Sequence, residues 1–517
     1  MLRIKNEIEG VNMRITDLQN GSDIRGIAIA TPENLITLTP EVAETVGRGL
    51  VNWLVAEKQL DSQLKQEKLT IAVGQDSRLS GDELKAALIA GITSQGAHVI
   101  DTALSTTPAM FKSTQFPDFD CDAAVMLTAS HLPYYFNGIK IFSRDGGAEH
   151  EDIHYILTHT AKNAQISLGT TSKKDLLTPY AQDLVNQIIE GTGLADSQPL
   201  TGYHIIVDAG NGAGGYFAEK VLAVLGADTT GSQFLEPDGH FPNHIPNPDN
   251  PEAMASIRQA VLNHQADLGV IFDTDVDRSA VVDQFGNTLN RNNLIAVLSK
   301  IVLEKTPGST IVTNSPTSTH LKKFITQLGG KQVRYLCGYR NVINKAIKLN
   351  QEGIDTPLAI ETSGHAAIRE NDFLDDGAYV IAKILMLLPQ LKAENRQLSD
   401  LISDLQQPVE TQEIRFKINL ADYRPYGEQV ITDLGEFVTA TADFDTDTDN
   451  EEGIRVNLTG DYGQGWFLLR MSLHEPLLVL QVENDVLGKN HLVFKKLAMF
   501  FNQYQPLDKS ALEKLLK

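Results

Sequence analysis

Three stretches of the chain repeat one hydrophobic pattern: a short β-branched run, a turn of small polar residues, an apolar stripe at helical spacing, and a glycine stop before the next apolar run. The first copy runs from Leu69-Thr-Ile-Ala-Val73 through Leu84, Ala87, Leu88, Gly91 and Ile92 to Gly96-Ala97 and Val99-Ile100. The second has Ile205-Ile-Val207, then Phe217, Val221 and Leu225, then Gly226-Ala227. The third has Thr310-Ile-Val312, then Leu321, Phe324, Ile325 and Leu328, then Gly329-Gly330. Apolar positions at i, i+3, i+4 and i+7 form the stripe by which a helix packs on a sheet, so the pattern predicts three similar α/β units of the βαβ type. After about Gln407 alternation takes over, as at Val479, Gln481 and Glu483, with acidic loops around Asp443 to Glu452. That change of period predicts a smaller α+β domain.

A chain of 517 residues exceeds what one core can organise, so several domains are expected. Linkers marked by Pro or Gly near 195–200, 305–308 and 406–412 divide it into 1–197, 198–306, 307–408 and 409–517. The apolar run Tyr379 to Leu388 is interrupted by Lys383 and too short to span a bilayer, which predicts a buried helix.

The formal net charge of -22 repels nucleic acid and anionic membrane, so neither is an expected partner. Anions can be bound only where Arg and Lys cluster locally. The two cysteines, Cys121 and Cys337, belong to no metal knuckle or CxxC pair, and Met1 to Gly10 has no continuous apolar core of the signal-peptide kind. The expected location is the reducing cytoplasm.

Four short segments carry chemistry. Asp273-Thr-Asp275-Val-Asp277-Arg278 leaves the apolar run Leu268-Gly-Val-Ile-Phe272. Three carboxylates at alternate positions repel one another unless a hard cation neutralises them. A calcium EF-hand does not fit, because its sixth position is Arg278 and its twelfth is Gln284. Magnesium is the expected ion. Thr128-Ala-Ser130-His131-Leu-Pro133, followed by Asn137-Gly138-Ile-Lys140, reads either as a turn serine or as an activated or phosphorylated hydroxyl. Glu361-Thr-Ser363-Gly364-His365 reads either as an ordinary strand exit or as a loop that hydrogen-bonds sugar hydroxyls. Arg470-Met-Ser472-Leu-His474 can grip a phosphate through a guanidinium fork and a hydroxyl.

Taken together, one in each inferred domain, these segments resemble the α-D-phosphohexomutase superfamily, which includes the phosphoglucomutases and phosphomannomutases. The resemblance spans nearly the whole chain. It implies a heart-shaped molecule of three related α/β domains and a different fourth around a central cleft. It implies that Ser130, with His131, bears a phosphoryl group. Asp273, Asp275 and Asp277 then bind Mg2+ together with the group on Ser130, beside Arg278 and Lys140. Glu361, Ser363 and His365 contact the sugar, while Arg470, Ser472 and His474 hold its phosphate. The segments Gly21-Ser-Asp-Ile-Arg25-Gly26 and Gly74-Gln-Asp76-Ser-Arg78 resemble family turns that bring arginines toward the cleft, and Arg340 or Lys345 stands where another basic contact is expected. The implied activity interconverts hexose 1-phosphate and hexose 6-phosphate, of glucose or mannose, through a hexose 1,6-bisphosphate, in a monomer or homodimer.

Departures bear on loop geometry and substrate preference. Thr274 and Val276 stand where glycines are usual, Leu132 replaces an Asn before Pro133, and Leu473-His474 replaces Gly-Thr or Asn-Thr. One competing reading is a homologue that binds sugar phosphates without turnover. Another is an NAD-dependent dehydrogenase, because Gly210-Asn-Gly212-Ala-Gly-Gly215 follows the run Ile205 to Val207 at GxGxxG spacing.

Overall fold

The computed structural model describes residues 3–5, 12–162, 167–473 and 475–517, so the sequence reading of Met1 to Gly10 falls mostly outside the described residues and that of His474 wholly so. The three predicted α/β repeats each produce strands running into helices. In the first, strand Thr70–Gln75 leads to helix Gly81–Thr93, which buries Leu84, Leu88 and Ile92. In the second, strand Ile205–Asp208 leads to the short π-type helix Phe217–Leu222, with Phe217 and Val221 buried. In the third, strand Thr310–Asn314 leads to helix Thr319–Gln327, with Leu321, Phe324 and Ile325 buried. Each such side chain taken from water stabilises the fold by about 1.5–3 kcal/mol.

The chain divides into two compact units. The first comprises 1–290, 363–367 and 374–399. Its larger sheet runs in the order Thr171–Lys173, His98–Leu104, Thr70–Gln75, Ala123–Leu127, Phe136–Ser143, Asp23–Ile27 and Gln19–Asn20. The first four of these strands are parallel and the rest antiparallel, which makes the sheet mixed. Its smaller sheet pairs Ile205–Asp208 in parallel with Leu268–Phe272, and the latter antiparallel with Ser279–Asp283. The apolar run read as a buried helix is the helix Gly377–Leu385, with every residue buried. It starts at an N-cap, where the Asp376 side chain accepts from the Tyr379 N–H at 2.8 Å.

The second unit comprises 291–362, 368–373 and 400–517. It holds the parallel strands Lys331–Tyr335, Thr310–Asn314 and Leu358–Ile360. It also holds a five-stranded antiparallel sheet in the order Glu410–Lys417, Leu477–Asn484, Gly465–Met471, Ile454–Leu458 and Phe444–Thr446. Strand Leu477–Asn484 alternates in sequence but is buried along its whole length. Among its polar positions, Glu483 accepts a hydrogen bond from the Trp466 ring at 2.9 Å. Among the described residues no helix is long and apolar enough to cross a membrane.

Candidate active site

Strand Leu268–Phe272 is buried throughout, and strand Ser279–Asp283 returns beside it with Phe272 opposite Ser279. The hairpin loop between them carries all three predicted aspartates. Asp273, Asp275 and Asp277 are no more than 1% exposed, and one oxygen of each lies within 4.8 Å of the others. To make this turn Val276 takes φ +66°, a left-handed conformation that costs an L-residue about 1–2 kcal/mol. A glycine, which the resemblance led one to expect here, would adopt that conformation without the cost.

Cations hold the trio together. Lys140 Nζ lies 3.0 Å from Asp275 and ion-pairs Asp277 even more closely. Arg278 Nε donates to Asp273 at 3.0 Å. Thr107 donates its hydroxyl to Asp275, and its N–H donates to the Asp275 carbonyl at 2.9 Å. Burial raises the Asp273 carboxyl well above the usual range, with Asp277 adding to the effect. Burial opposes ionisation of Asp277 too, but Lys140, His365 and Arg278 outweigh it and hold that carboxyl well below the usual range. Oδ1 of Asp275 and Oδ1 of Asp277 are buried without a hydrogen-bond donor. Buried acceptors of this kind, within a set made only of oxygen, fit a hard divalent cation such as magnesium.

Ser130 reaches the same place from the other sheet of this unit, on the loop between strands Ala123–Leu127 and Phe136–Ser143. Its backbone is left-handed, φ +51°, and it is 2% exposed. The hydroxyl donates to Asp273 Oδ2 at 3.0 Å and accepts from Arg278 Nη2 at 2.8 Å. His131 Nδ1 lies 3.4 Å from that oxygen and 2.7 Å from Arg278 Nη2. The Arg278 charge and then burial push the His131 ring well below its usual pKa, so it is neutral at pH 7.

Arg78, expected to point toward the cleft, is buried under the serine loop at 2% exposure. Its guanidinium donates to the carbonyls of Ser130, Leu132, Pro133 and Phe136, the last three at 2.6, 2.8 and 2.9 Å. At Leu132 the contact is with the backbone carbonyl, which the change of side chain leaves in place. Arg25 is half-buried and ion-pairs Asp23 at 2.9 Å.

Ser363 and His365 belong to the same unit as the trio, whereas Glu361 belongs to the second. His365 Nδ1 is 2.6 Å from Asp375 and 3.8 Å from Asp277. Burial favours the neutral ring, but Asp375 and Asp277 outweigh it and lift its pKa to about 9. His365, assigned to the sugar by resemblance, thus lies beside the acidic loop. Asp375 and Thr107 were not singled out in the sequence. Only Asp375 carried a signal, as one of two acids directly before a helix start.

In the second unit Glu361, 5% exposed, accepts from the Gly338 N–H at 2.7 Å. Arg470 ends strand Gly465–Met471, and Ser472 follows, its hydroxyl accepting from the Glu475 N–H at 3.3 Å. Arg340 lies in the first turn of helix Tyr339–Gln351. Lys345, further along that helix, ion-pairs Glu451 at 3.2 Å.

The GxGxxG segment is explained by packing. A Cβ on Gly212 would lie 2.6 Å from the Thr274 carbonyl oxygen, and one on Gly215 2.2 Å from that of Leu235. Protein backbone fills the space a dinucleotide phosphate needs.

Family models described as phosphoglucomutase/phosphomannomutase, alpha/beta/alpha domains I, II and III, match residues 16–167, 179–286 and 290–409. A phosphomannomutase/phosphoglucomutase of Pseudomonas syringae pv. tomato is 31% identical over 487 residues, 92% of this chain and 94% of the relative. A phosphoglucomutase of Neisseria gonorrhoeae is 30% identical over 476 residues, 91% of this chain and 93% of the relative. The crystal structure of a phosphoglucomutase/phosphomannomutase family protein from Burkholderia thailandensis has the same fold. Its TM-score is 0.74 at 24% identity, covering 96% of this chain and 99% of that one.

Proposed function

The chain belongs to the phosphoglucomutase/phosphomannomutase family, and from that premise we propose that it interconverts hexose 1-phosphate and hexose 6-phosphate, of glucose or mannose, through a phosphoserine at Ser130 and a hexose 1,6-bisphosphate. The observation that carries this reading is the Ser130 hydroxyl held between Arg278 and Asp273. In the same reading 1–197 bears the phosphoserine, 198–306 the metal loop, 307–408 the sugar contacts and 409–517 the phosphate grip.

Asp273, Asp275 and Asp277 would hold Mg2+, which would supply positive charge to the phosphoryl group in transfer. The protein's own part is charge placement. As the Ser130 Oγ–P bond breaks and the hexose O–P bond forms, negative charge gathers on Oγ, and Arg278 Nη2 already donates to that atom at 2.8 Å. The proton of the attacking sugar hydroxyl ends on Ser130 Oγ, whose hydrogen Asp273 Oδ2 accepts. The bisphosphate then presents its other phosphate, and the same bonds form and break in reverse. Glu361, Ser363 and His365 take the sugar hydroxyls in either orientation, and Arg470, Ser472 and His474 grip the phosphate that does not react. Both cysteines are buried free thiols, in keeping with a cytoplasmic site of action.

The test uses purified protein, Mg2+ and a trace of glucose 1,6-bisphosphate. Glucose 1-phosphate or mannose 1-phosphate is converted to its 6-phosphate, and mass spectrometry finds phosphate on Ser130. Sugar-phosphate binding with neither turnover nor a phosphorylated Ser130 would leave the chain as a non-catalytic binder.

A further inference from the structure

The acidic loop from Asp447 to Glu452 lies in the second unit, together with every residue it contacts there. A loop with four carboxylates in six residues ordinarily faces solvent. Asp449 and Glu451 are exposed here, yet every acid of this strap-like loop has a partner. Asp447 meets Arg334 at 2.8 Å and Arg455 at 3.3 Å, and both arginines are buried. Asp449 ion-pairs Lys322, and Glu451 ion-pairs Lys345 at 3.2 Å. The strap is closed at its base by the Asp447 N–H donating to the Arg455 carbonyl at 2.9 Å.

The last acid of the strap points at the predicted phosphate grip. Glu452 accepts a short hydrogen bond from the Ser315 hydroxyl and lies 3.9 Å from Arg470 Nε. Ser315 is fixed in turn, because Arg455 donates to its carbonyl at 3.0 Å. The next residue, Gly453, is left-handed, and a Cβ there would lie 2.1 Å from the Leu469 carbonyl oxygen and 2.9 Å from Arg470 Cα. Only glycine lets the strap approach the Arg470 backbone this closely, and that approach brings the Glu452 carboxylate alongside the guanidinium.

We infer that Glu452 is a positioning residue for Arg470, held in place by the ion-paired strap. Its charge contact falls on the Nε edge of the guanidinium, while Nη1 donates to the Met471 carbonyl at 3.1 Å. A guanidinium has five N–H donors, so hydrogens on Nη1 and Nη2 are left to form a fork toward a phosphate. An arginine fixed before binding loses less rotamer freedom when the phosphate arrives. The inference rests on the reading of Arg470 as a phosphate ligand.

The experiment compares Glu452→Gln with wild type using glucose 1-phosphate as substrate and inorganic phosphate as competitive inhibitor. Gln keeps an acceptor for Ser315 and removes the charge at Arg470. The expected result is a rise of about tenfold in KM and in the inhibition constant for phosphate, with kcat changed by less than about threefold. A melting temperature near that of wild type separates this from unfolding. Glu452→Asp, which keeps the charge on a shorter arm, gives an intermediate rise and serves if the Gln variant does not fold. Unchanged KM and inhibition constants in both variants would overturn the inference. A fall in KM would also overturn it, because Glu452 would then compete with the substrate phosphate. Arg470→Ala separates the two readings. If it leaves both constants unchanged, the phosphate grip itself is elsewhere; if it raises them while the Glu452 variants do not, only the positioning role fails.

Discussion

The hydroxyl of Ser130 donates to Asp273 at 3.0 Å across 143 positions of sequence, and Arg278 donates to the same hydroxyl from five positions beyond Asp273. Serine loop and acidic hairpin are therefore one device. Arg278→Gln keeps a donor but removes the charge that faces Ser130 Oγ. A loss of kcat on the order of 10³-fold is expected in a coupled assay of hexose 6-phosphate formation, by analogy with arginines that stabilise phosphoryl transfer. A loss smaller than about tenfold would mean that Arg278 is structural.

The serine loop and the acidic hairpin were legible because each follows an apolar strand whose end is marked by polar residues of unusual density. Asp273, Asp275 and Asp277 could be read that way without any long-range information. What holds them could not. Thr107 reaches Asp275 from far away in sequence and does not stand out locally, and Lys140, legible in the serine segment, gave no local sign that it would pair with Asp275. Arg78 was legible as a basic residue in a turn, but its burial beneath four carbonyls depends on the register of the loop above it. The acidic loop around Asp443 to Glu452 could be read only as acidic because the partners of Asp447, Asp449 and Glu451, namely Arg334, Lys322 and Lys345, lie more than 100 residues upstream. The dehydrogenase motif illustrates the converse, since a glycine spacing does not reveal whether a ligand or backbone such as Thr274 fills the space.

Three buried carboxylates, two of them with an oxygen lacking a hydrogen-bond donor, predict that a divalent cation stabilises the protein. Adding magnesium at one hundred times its dissociation constant should contribute about 2.7 kcal/mol. The expected observation is a rise in melting temperature with Mg2+ that disappears in Asp275→Asn, and activity that is lost on chelation and restored by Mg2+. An identical magnesium-dependent rise in the Asn variant would count against the trio as the site.

The Arg78 guanidinium donates to four backbone carbonyls of the serine loop, so its replacement should act on stability. Arg78→Met removes the donor to the carbonyls of Ser130, Leu132, Pro133 and Phe136 and leaves Asp76, 3.3 Å away, buried without its partner. Burial already lifts the Asp76 carboxyl to about 6 against the pull of Arg78. Breaking such a pair costs about 3–5 kcal/mol, measured as a lower denaturant midpoint. An unchanged midpoint with lost activity would instead place Arg78 at the substrate.

His244 gives the fold a pH dependence whose sign can be worked out. Its ring lies 3.0 Å from Asp208, a fully buried carboxylate. Burial favours the neutral ring, but the hydrogen bond and charge of Asp208 outweigh it and raise the pKa of His244 above its usual value. The folded state therefore binds this proton more tightly than the unfolded chain, whose histidine titrates near about 6.5. The resulting stabilisation is fully present below that value and is lost as pH rises through the higher folded-state pKa. In His244→Asn the Asp208 carboxylate still accepts from the Gly210 N–H at 2.9 Å and from Gln233 at 2.7 Å, so the variant should fold. Denaturant midpoints of wild type and variant should differ most below about pH 6.5 and converge as pH rises through the raised folded-state pKa. A difference that is constant, or that grows with pH, would show that the ring is neutral in the folded protein.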